Sequence, residues 1–392
     1  MSSLHNTAAI AGIGATEFSK ESGRTELQLA LEASKAALDD AGIAPNEVDG
    51  FVTYSMDTSP SIEVARGLGC ENVTYFGLVD YGGGAAAATI MHAAMAVATG
   101  AAETIVVYRA FNERSGHRFG KALDISGWGA DARTAHYAWY LPFGLMTPAS
   151  WVAMFAQRYM HLYGATSEDF GRVSVLDRKH AATNPKAWFY KQPITLEDHQ
   201  ASRWIAKPLH LLDCCQESDG GQAFVVTSRE RARDLQQKPA VIRASAQGVS
   251  YDQHNMTSYY RENDKRALPE VGLVAEQLWN ATGLTAHDMD AAVLYDHFTP
   301  FVLAQLEEFG FCGEGEAKDL LKDGFGELTS RTPINPHGGQ LGEAYIHGMN
   351  GIAEGVRQIR GTSVNQAQRN EHVLVSAGTG VPTSALVLGQ DS

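Results

Sequence analysis

Three ionisable side chains stand in a row at the end of an apolar run in VLYDHFTPFV, residues 293–302. Tyr295, Asp296 and His297 follow Val293 and Leu294, a pattern typical of the end of a buried strand. A phenol, a carboxyl and an imidazole are all groups that transfer protons in enzymes. The stretch therefore predicts either a catalytic strand end or a polar turn with a tyrosine buried beneath it.

The common catalytic signatures are absent from the sequence. It contains no G-x-x-x-x-G-K-[ST] phosphate loop, no H-E-x-x-H zinc motif and no G-x-S-x-G nucleophile elbow. GIGATEFS, residues 12–19, lacks the third glycine of a dinucleotide-binding fingerprint. The fourteen histidines are scattered along the chain, which does not favour a metal site.

Composition narrows the classes of protein further. Of 392 residues, 44% are hydrophobic, enough for one large domain or two closely packed ones. Lys and Arg number 31 against 45 Asp and Glu, so the formal charge of −14 argues against a nucleic-acid-binding protein. A local basic rim for coenzyme A is still allowed. No signal peptide or membrane-spanning run is present, so no membrane insertion is expected.

The cysteines indicate a cellular compartment. Cys70, Cys214, Cys215 and Cys312 show no C-x-x-C spacing, and the adjacent pair 214–215 is poorly placed for a mutual disulfide. A reducing cytoplasm is therefore the predicted location.

Short apolar runs alternate with segments of helical spacing, which predicts an α/β fold. Strands are predicted at 8–14 and 48–54, and a helix at 26–42 that ends at Gly42. Residues 82–110 are predicted as a helix of small apolar residues followed by a strand. Because this helix has no polar face, we expect it to be buried on every side.

The chain also repeats itself. AGIAPNEVDGFVTY, residues 41–54, aligns without gaps with TGLTAHDMDAAVLY, residues 282–295, and each follows a helical pattern and ends in a strand. A glycine-led helix is predicted after each, in the second half at 337–361, and a strand pair surrounds 373–389. So long a period indicates two similar halves rather than a solenoid.

The chain is predicted to consist of two halves, with an insertion in the first. The first half spans 1–235 and the second 236–392. An insertion at about 112–210 in the first half, rich in Trp, Tyr and His, is predicted to form a loop domain.

Over essentially its whole length, from AAIAGIGATEFSK to SALVLG, the sequence resembles the thiolase superfamily, and most closely its lipid-transfer-protein-like branch. The motifs are ESDGGQAFVVTS (217–228), NPHGGQLGEAYIHG (335–348) and SAGTG (376–380), in the order that the superfamily has them. The resemblance implies two pseudo-symmetric βαβαβαββ halves that form a five-layered αβαβα structure, with the loop domain over an acyl-CoA site.

The polar residues of a thiolase site have all changed here. The resemblance aligns the nucleophilic cysteine with Tyr81 or, with a slip of one residue, Gly82, and the second cysteine with Ser376. Tyr345 replaces the histidine of the G-H-P element, and Tyr295 replaces the asparagine of the N-E-A-F element. Without either cysteine the chain cannot form an acyl-thioester intermediate, so ordinary thiolase activity is not expected.

The replacement pattern resembles the steroid side-chain retroaldolases, a thiolase-related group of bacterial cholesterol and bile-acid catabolism. It implies that Tyr295 and Tyr345 are catalytic, and that a steroid side-chain 3-hydroxyacyl-CoA is cleaved to a ketosteroid and propionyl-CoA or acetyl-CoA. It also implies a DUF35 partner with a zinc-ribbon/OB-fold, and a homodimer within a heterotetramer. Coenzyme A is then part of the substrate, no cofactor is held by this chain, and zinc is expected only in the partner.

Further residues are candidates for substrate binding: Tyr81, His297, His337, Gly338, His347, Ser376 and Gly378. A tyrosine with an ordinary pKa of about 10 is a poor base at neutral pH, so a cation, a helix N-terminus or a protonated His297, His337 or His347 is expected to assist it. Asp296 is interpreted as a structural or helix-capping carboxylate. Arg118, Lys121 and Arg133 are candidates for contacting the CoA phosphates.

Two other functions remain open from the sequence. The chain could be a non-catalytic subunit that binds acyl-CoA or sterol and supports a partner enzyme. It could also be a cysteine-independent acyltransferase of thiolase type. Cleavage with ketone release separates the aldolase from the first, and trapping of a labelled acyl group on the protein would support the second.

Overall fold

Strands and helices alternate through both halves of the chain. The computed structural model describes residues 5–80, 82–121, 137–251, 266–378 and 383–391. The strands are β1 (Ala8–Ala15), β2 (Gly50–Tyr54), β3 (Tyr75–Val79), β4 (Thr104–Asn112), β5 (Trp204–Ala206), β6 (Leu209–His210), β7 (Asp219–Ser228), β8 (Ala240–Gly248), β9 (Ala291–Val293), β10 (His372–Ala377) and β11 (Thr383–Gly389).

Helices connect and cover these strands. They are α1 (Glu26–Ala41), α2 (Ser61–Leu68), α3 (Ala86–Thr99), α4 (Pro148–Tyr163), α5 (Ser167–Thr183), α6 (Leu196–Ala201), α7 (Arg229–Ala232), α8 (Pro269–Thr282), α9 (Thr299–Phe309), α10 (Ala317–Lys322), α11 (Gly339–Gly342) and α12 (Met349–Arg360). None of the helices in the described part of the chain has the length and apolar character needed to cross a membrane.

The strand order shows the internal repeat. Nine strands form one sheet in the order β3-β2-β4-β7-β1-β8-β11-β10-β9. A bridge between Ala292 and Ile334 adds a parallel neighbour beyond β9, in the place that β3 takes beside β2. The halves meet where β1 and β8 pair in antiparallel fashion, Ala9 with Val241 and Ile10 with Ala240. Read outward from this pair, both halves have the same strand order, which supports the predicted duplication.

Helices lie on both sides of each half sheet and between the two halves. Helix α1 contacts β1, β4 and β7 of the first half, and α8 contacts β8 and β11 of the second. Helices α3 and α12 touch strands of both halves and each other. Three clusters of buried apolar side chains fill the spaces between these layers, and the central cluster is formed around α3 and α12. The arrangement is the five-layered αβαβα structure of a thiolase-like fold.

The central helix α3 is buried where it begins. Every residue from Ala86 to Ile90 is buried, as its small apolar side chains predict. Its later turns differ from the prediction, because Met95 is 39% exposed. The stretch 337–361 also differs from a single glycine-led helix: α11 ends at Gly342, and α12 begins after Gly348, whose φ of 84° favours glycine.

The predicted boundaries and the insertion can be located in this fold. The proposed boundary between residues 235 and 236 falls in the connection between α7 and β8. The insertion at about 112–210 supplies α4, α5, α6 and the β5–β6 hairpin. Helix α5 contacts α9 and α11, so the insertion rests on elements of the second half.

Candidate active site

The two predicted catalytic tyrosines meet in the interior. The hydroxyl oxygens of Tyr295 and Tyr345 are 3.2 Å apart, within hydrogen-bonding distance, and the side chains are 3% and 8% exposed. Tyr295 lies two residues beyond the end of β9, and Tyr345 lies in the connection between α11 and α12. Both therefore sit outside regular elements, where side-chain direction is set by local hydrogen bonds.

A small network fixes the backbone of Tyr295. Its N–H donates to Ser376 Oγ at 2.9 Å, and Gln305 Nε2 donates to its carbonyl at 2.9 Å. Ser376 Oγ in turn donates to Gln305 Oε1 at 2.6 Å. Because the only hydroxyl proton of Ser376 is used there, the structure gives Ser376 a role in positioning Tyr295.

The backbone of Tyr345 is held from the first half of the chain. Its N–H donates to Ser218 Oγ at 3.1 Å. In the same SDGG stretch, the Asp219 carboxylate accepts hydrogen bonds from the backbone of Arg114 and Ser115 at 2.8 and 3.0 Å. SDGG thus serves the fold, as predicted, and it also anchors a catalytic candidate.

Glycines at the start of the central helix make room for Tyr295. A β-carbon on Gly83 would lie 1.7 Å from the Tyr295 hydroxyl oxygen, so only glycine fits there. Gly378, with φ of 30°, brings its backbone against Gly84, where an added β-carbon would lie 2.1 Å from the amide nitrogen. The space beside Gly83, at the start of the central helix, is therefore filled by a phenol from the other half.

Asp296 acts on the backbone. Its carboxylate accepts hydrogen bonds from the N–H groups of Gln340 and Leu341, at 2.8 and 2.9 Å, at the beginning of α11. The helix-capping interpretation is confirmed. Burial raises the pKa of Asp296, and burial together with the neighbouring Asp296 raises that of Asp177 on α5 well above the usual range.

His297 is neutral and tightly enclosed. Its ring stacks on Phe301 at 4.8 Å and meets the Tyr295 ring edge-on at 4.7 Å between centroids. Burial lowers the pKa of His297 to about 3. Burial, followed by the charge of Arg109, likewise holds the pKa of His347 well below its usual value. The expected assistance from a protonated histidine at these two positions is therefore wrong.

The remaining predicted residues are not all near the tyrosines. His337 Nε2 lies 3.9 Å from Glu343 Oε2, and no contact among the described residues joins its ring to either tyrosine. Gly338, with φ of 104°, lets the chain approach α5, since a β-carbon there would lie 2.5 Å from that of Ala181. His347 does approach, with its ring centroid 5.1 Å from that of Tyr345.

Burial raises the pKa of both phenols well above 10, so both are protonated in this structure. The hydrogen bond between them has opposite effects: it lowers the pKa of Tyr295 and raises that of Tyr345. The Tyr295 hydroxyl also lies at the start of α3, where the helix dipole favours a negative charge. Tyr295 is therefore the better placed of the two to become an anion.

Two charged residues of the site were not predicted from the sequence. Arg109 is 2% exposed inside β4 and donates from Nε to His347 Nδ1 at 3.2 Å. Glu113 follows the same strand, and burial raises its pKa well above the usual range. The signal was an arginine inside the apolar run TIVVYRAFN, because a charge is rarely buried without a partner.

The residues predicted to contact the CoA phosphates differ in their surroundings. Arg118 forms an ion pair with Glu217 at 2.5 Å, and Lys121 is exposed. Arg133 and Tyr81 lie outside the described residues. Across the described part of the chain, no three His, Cys, Asp or Glu side chains converge as metal ligands.

The site combines two hydrogen-bonded phenols with neutral imidazoles in a buried setting that both halves build. Such groups can move protons and donate hydrogen bonds to a developing oxyanion. They supply no thiol where a thiolase has its nucleophile, at the start of α3.

Comparison with known proteins agrees with this geometry. Residues 253–389 match the family described as thiolase C-terminal domain-like. The chain is 66% identical to the steroid side-chain-cleaving aldolase of Thermomonospora curvata, over 100% of each chain. It is 64% identical to the 17-hydroxy-3-oxo-4-pregnene-20-carboxyl-CoA lyase of Mycobacterium tuberculosis, over 98% of this chain and 100% of that one.

A solved structure is similar over almost its whole length. It is described as an Ltp2-ChsH2(DUF35) aldolase, with a TM-score of 0.95 and 66% identity. The match covers 100% of this chain and 99% of that chain.

Proposed function

The chain belongs to the steroid side-chain-cleaving aldolases of the thiolase superfamily, and from this premise we propose that it is a retro-aldol carbon–carbon lyase. Its substrate is a steroid side-chain 3-hydroxyacyl-CoA, in bacterial degradation of steroids such as cholesterol or bile acids. The products are a ketosteroid and a short acyl-CoA, either propionyl-CoA or acetyl-CoA.

One observation supports catalysis by this chain above all others. The hydroxyls of Tyr295 and Tyr345 lie 3.2 Å apart in a buried site that both halves build. Retro-aldol cleavage needs only proton transfers and stabilisation of an enolate, and a hydrogen-bonded phenol pair can provide the transfers. No covalent intermediate is needed, so the missing cysteines do not prevent the reaction.

The proton balance assigns a role to each tyrosine. Tyr295 accepts the proton of the substrate hydroxyl as it gives its own proton to Tyr345 across their 3.2 Å hydrogen bond, because a neutral phenol cannot hold a second proton. The start of α3 favours the negative charge that this transfer places on the Tyr295 oxygen. The carbonyl of the ketone forms as the carbon–carbon bond breaks, and the electron pair of that bond passes to the thioester as an enolate. Tyr345 receives the proton of Tyr295 and gives its own proton to the enolate carbon, so both phenols are neutral again at the end of the reaction.

The proposal extends to partners and location. We infer a DUF35 partner because the solved relative of 66% identity is named as an aldolase with one. This chain needs no cofactor for the proton transfers above; coenzyme A enters with the substrate, and zinc is assigned to the partner. A homodimer within a heterotetramer is supported by the exposed edge strand β3, and a cytoplasmic location by four unpaired cysteines.

The test is ketone release by the co-expressed chain and DUF35 partner from a panel of steroid 3-hydroxyacyl-CoAs. Tyr295→Phe and Tyr345→Phe are each expected to lower kcat on the order of 10²–10⁴-fold, the usual contribution of an acid–base group. Tyr108→Phe is the matched control. That buried phenol donates to the Ser59 carbonyl at 2.6 Å on the outer side of β4, so its loss should leave kcat within a few fold.

Two outcomes contradict the proposal. Binding of acyl-CoA without ketone release from any substrate would favour the non-catalytic subunit. Full activity in both Tyr→Phe variants would remove the tyrosines from the mechanism, and a labelled acyl group trapped on the protein would point to an acyltransferase.

A further inference from the structure

His347 has an unusual position in the backbone and in the site. It is 3% exposed, and its φ of 49° is in the left-handed region, which non-glycine residues seldom occupy. Its ring stacks on Phe111 with centroids 4.9 Å apart and meets the Tyr345 ring edge-on. Such a conformation persists where the surroundings impose it, and it is concentrated at functional sites.

The Nδ1 atom of His347 is a hydrogen-bond acceptor. Arg109 Nε donates to it at 3.2 Å, and a guanidinium has no acceptor to offer in return. Nδ1 must therefore be unprotonated, and in a neutral ring the proton is on Nε2. Arg109 is itself held by Asp57, with Nη1 and Oδ2 3.0 Å apart and side chains 2% and 1% exposed.

The Nε2 atom faces the start of the central helix. A β-carbon on Gly82 would lie 3.5 Å from it, and one on Gly83 would meet the Tyr295 hydroxyl. No acceptor for Nε2 occurs among the described residues. Nε2 thus lies at Gly82, one of the two positions with which the thiolase nucleophile was aligned, and the Tyr295 hydroxyl lies at the next residue.

We propose that His347 is a catalytic residue that donates from Nε2 to the thioester oxygen, and that the buried Asp57–Arg109 pair is the positioning device that fixes its tautomer. This inference rests on the proposed retro-aldol function. As the carbon–carbon bond breaks, negative charge accumulates on the thioester oxygen, and a fixed donor stabilises that enolate more than the ground state.

The neutral state of the ring suits this role. Arg109 carries a positive charge directly at Nδ1, and the ring is enclosed by Phe111 and Tyr345, so a second proton is disfavoured. Neutral His347 keeps its Nε2 proton and does not transfer it to Tyr295, because the imidazole anion that would result is far too basic. The proton transfers therefore stay with the two tyrosines.

The first test is kinetic. His347→Phe keeps an aromatic ring and removes the donor, and it is expected to lower kcat on the order of 10²–10³-fold while KM changes by only a few fold. His347→Gln, which retains an N–H donor, should recover part of kcat. Arg109→Met should lower kcat and leave KM nearly unchanged, because the donor is present but its tautomer is no longer fixed.

The second test needs no substrate. Nitrogen-15 NMR of histidine-labelled protein is expected to show His347 with Nδ1 unprotonated and Nε2 protonated throughout pH 6–9. In Arg109→Met a mixture of both tautomers should appear. A protonated Nδ1 in the wild-type protein would overturn the proposal even if His347→Phe failed to fold.

The two proposals fail in different ways. Wild-type kcat in folded His347→Phe, with activity lost in Tyr295→Phe, would overturn the role of His347 alone. Absence of cleavage by the wild-type chain with its partner would overturn the proposed function. An unchanged tautomer in Arg109→Met would overturn the positioning role of the Asp57–Arg109 pair.

Discussion

At the scale of single residues, burial determines the protonation states available to this site. It raises the pKa values of Tyr295 and Tyr345 and lowers that of His297 to about 3. The phenols of Tyr295 and Tyr345 and the imidazole of His297 are therefore neutral in the candidate site. Such a site avoids the cost of burying isolated charges and still supplies donors where a charge develops during the reaction.

Burial of neutral His297 should make stability depend on pH. Its folded pKa of about 3 is below the unfolded value, so the unfolded chain binds the proton first as the pH falls. The stabilisation that comes from burying the neutral His297 ring is fully present above about pH 6.5. Below that pH the free energy of unfolding falls by about 1.4 kcal/mol per pH unit. In His297→Phe the free energy of unfolding between pH 6.5 and 5 should fall by about 2 kcal/mol less than in the wild type.

Urea unfolding at several pH values measures this difference. His161→Phe is the matched control, because His161 is an exposed histidine of α4. An identical pH slope in His297→Phe and in the wild type would show that His297 accepts a proton in the folded state without penalty.

Some of these residues were predictable and others were not. Tyr295, Tyr345 and Ser376 stand within motifs, so a resemblance can align them one by one. The contact between Arg109 and His347 joins residues 238 positions apart, and it depends on how β4 lies against the connection between α11 and α12. No periodicity in the sequence encodes that contact, although an arginine in an apolar strand indicated that a partner must exist.

At the scale of elements, the start of α3 determines where Tyr295 can lie. The turn Gly83–Ala85 leads into the helix without any side chain at its first position. The phenol occupies the space that this glycine leaves, and Gly378 closes the same space from the end of β10. The missing side chain at Gly83 and the position of the Tyr295 phenol are thus parts of one structural feature.

Gly83→Ala is therefore expected to displace the Tyr295 hydroxyl, since its β-carbon would lie 1.7 Å from that oxygen. A misplacement of about 1 Å can lower kcat on the order of 10²-fold. The overpacking should also destabilise the fold by about 1–3 kcal/mol. Ketone release and thermal unfolding measure the two effects.

Gly248→Ala, at the end of β8, serves as the control. An added β-carbon there would meet the tip of the Leu273 side chain at 3.0 Å, which can move aside. If Gly83→Ala kept wild-type kcat, the Tyr295 hydroxyl would not need its present position for catalysis.

The elements themselves were largely predictable. Apolar alternation and caps indicated β1, β2 and α1, and Gly42 ends α1 with φ of 71° as expected. The division of 337–361 into α11 and α12 was missed, because glycines recur throughout this stretch and those at 342 and 348 do not stand out as helix ends. Only the left-handed conformations of His347 and Gly348 mark it, and they depend on contacts with the first half.

At the scale of the whole molecule, β3 leaves one edge of the nine-stranded sheet open. Its residues Phe76 and Leu78 are 52% and 65% exposed. An apolar edge strand in this state is a site for pairing with another chain. A second copy of the same chain can pair there by a two-fold axis, as the proposed homodimer requires.

Phe76→Lys combined with Leu78→Lys should weaken self-association on the order of 10²-fold or more, because charges replace buried apolar contacts. Sedimentation velocity over a concentration series measures the change. Val364→Lys is the control, since Val364 is 57% exposed beyond α12 and away from β3. Unchanged association in the β3 variant would exclude this edge as the dimer interface.

The duplication was visible in the sequence, but its consequence for packing was not. The alignment of 41–54 with 282–295 predicted two similar halves. That α3 and α12 would each touch strands of both halves depends on the β1–β8 contact, which is only two residue pairs long. Local patterns carry no information on so small a long-range contact.

The place of β1 in the middle of the sheet also has a consequence for synthesis on the ribosome. Ala8–Ala15 is synthesised well before both of its neighbours in the sheet, which are β7 (Asp219–Ser228) and β8 (Ala240–Gly248). Translation at about 5–20 residues per second separates β1 from the first of them by roughly 10–40 s. The time between the synthesis of β2 and that of β3, which pair with each other, is far shorter. During that time the nascent chain carries an apolar strand with two unpaired edges, which favours aggregation with other chains.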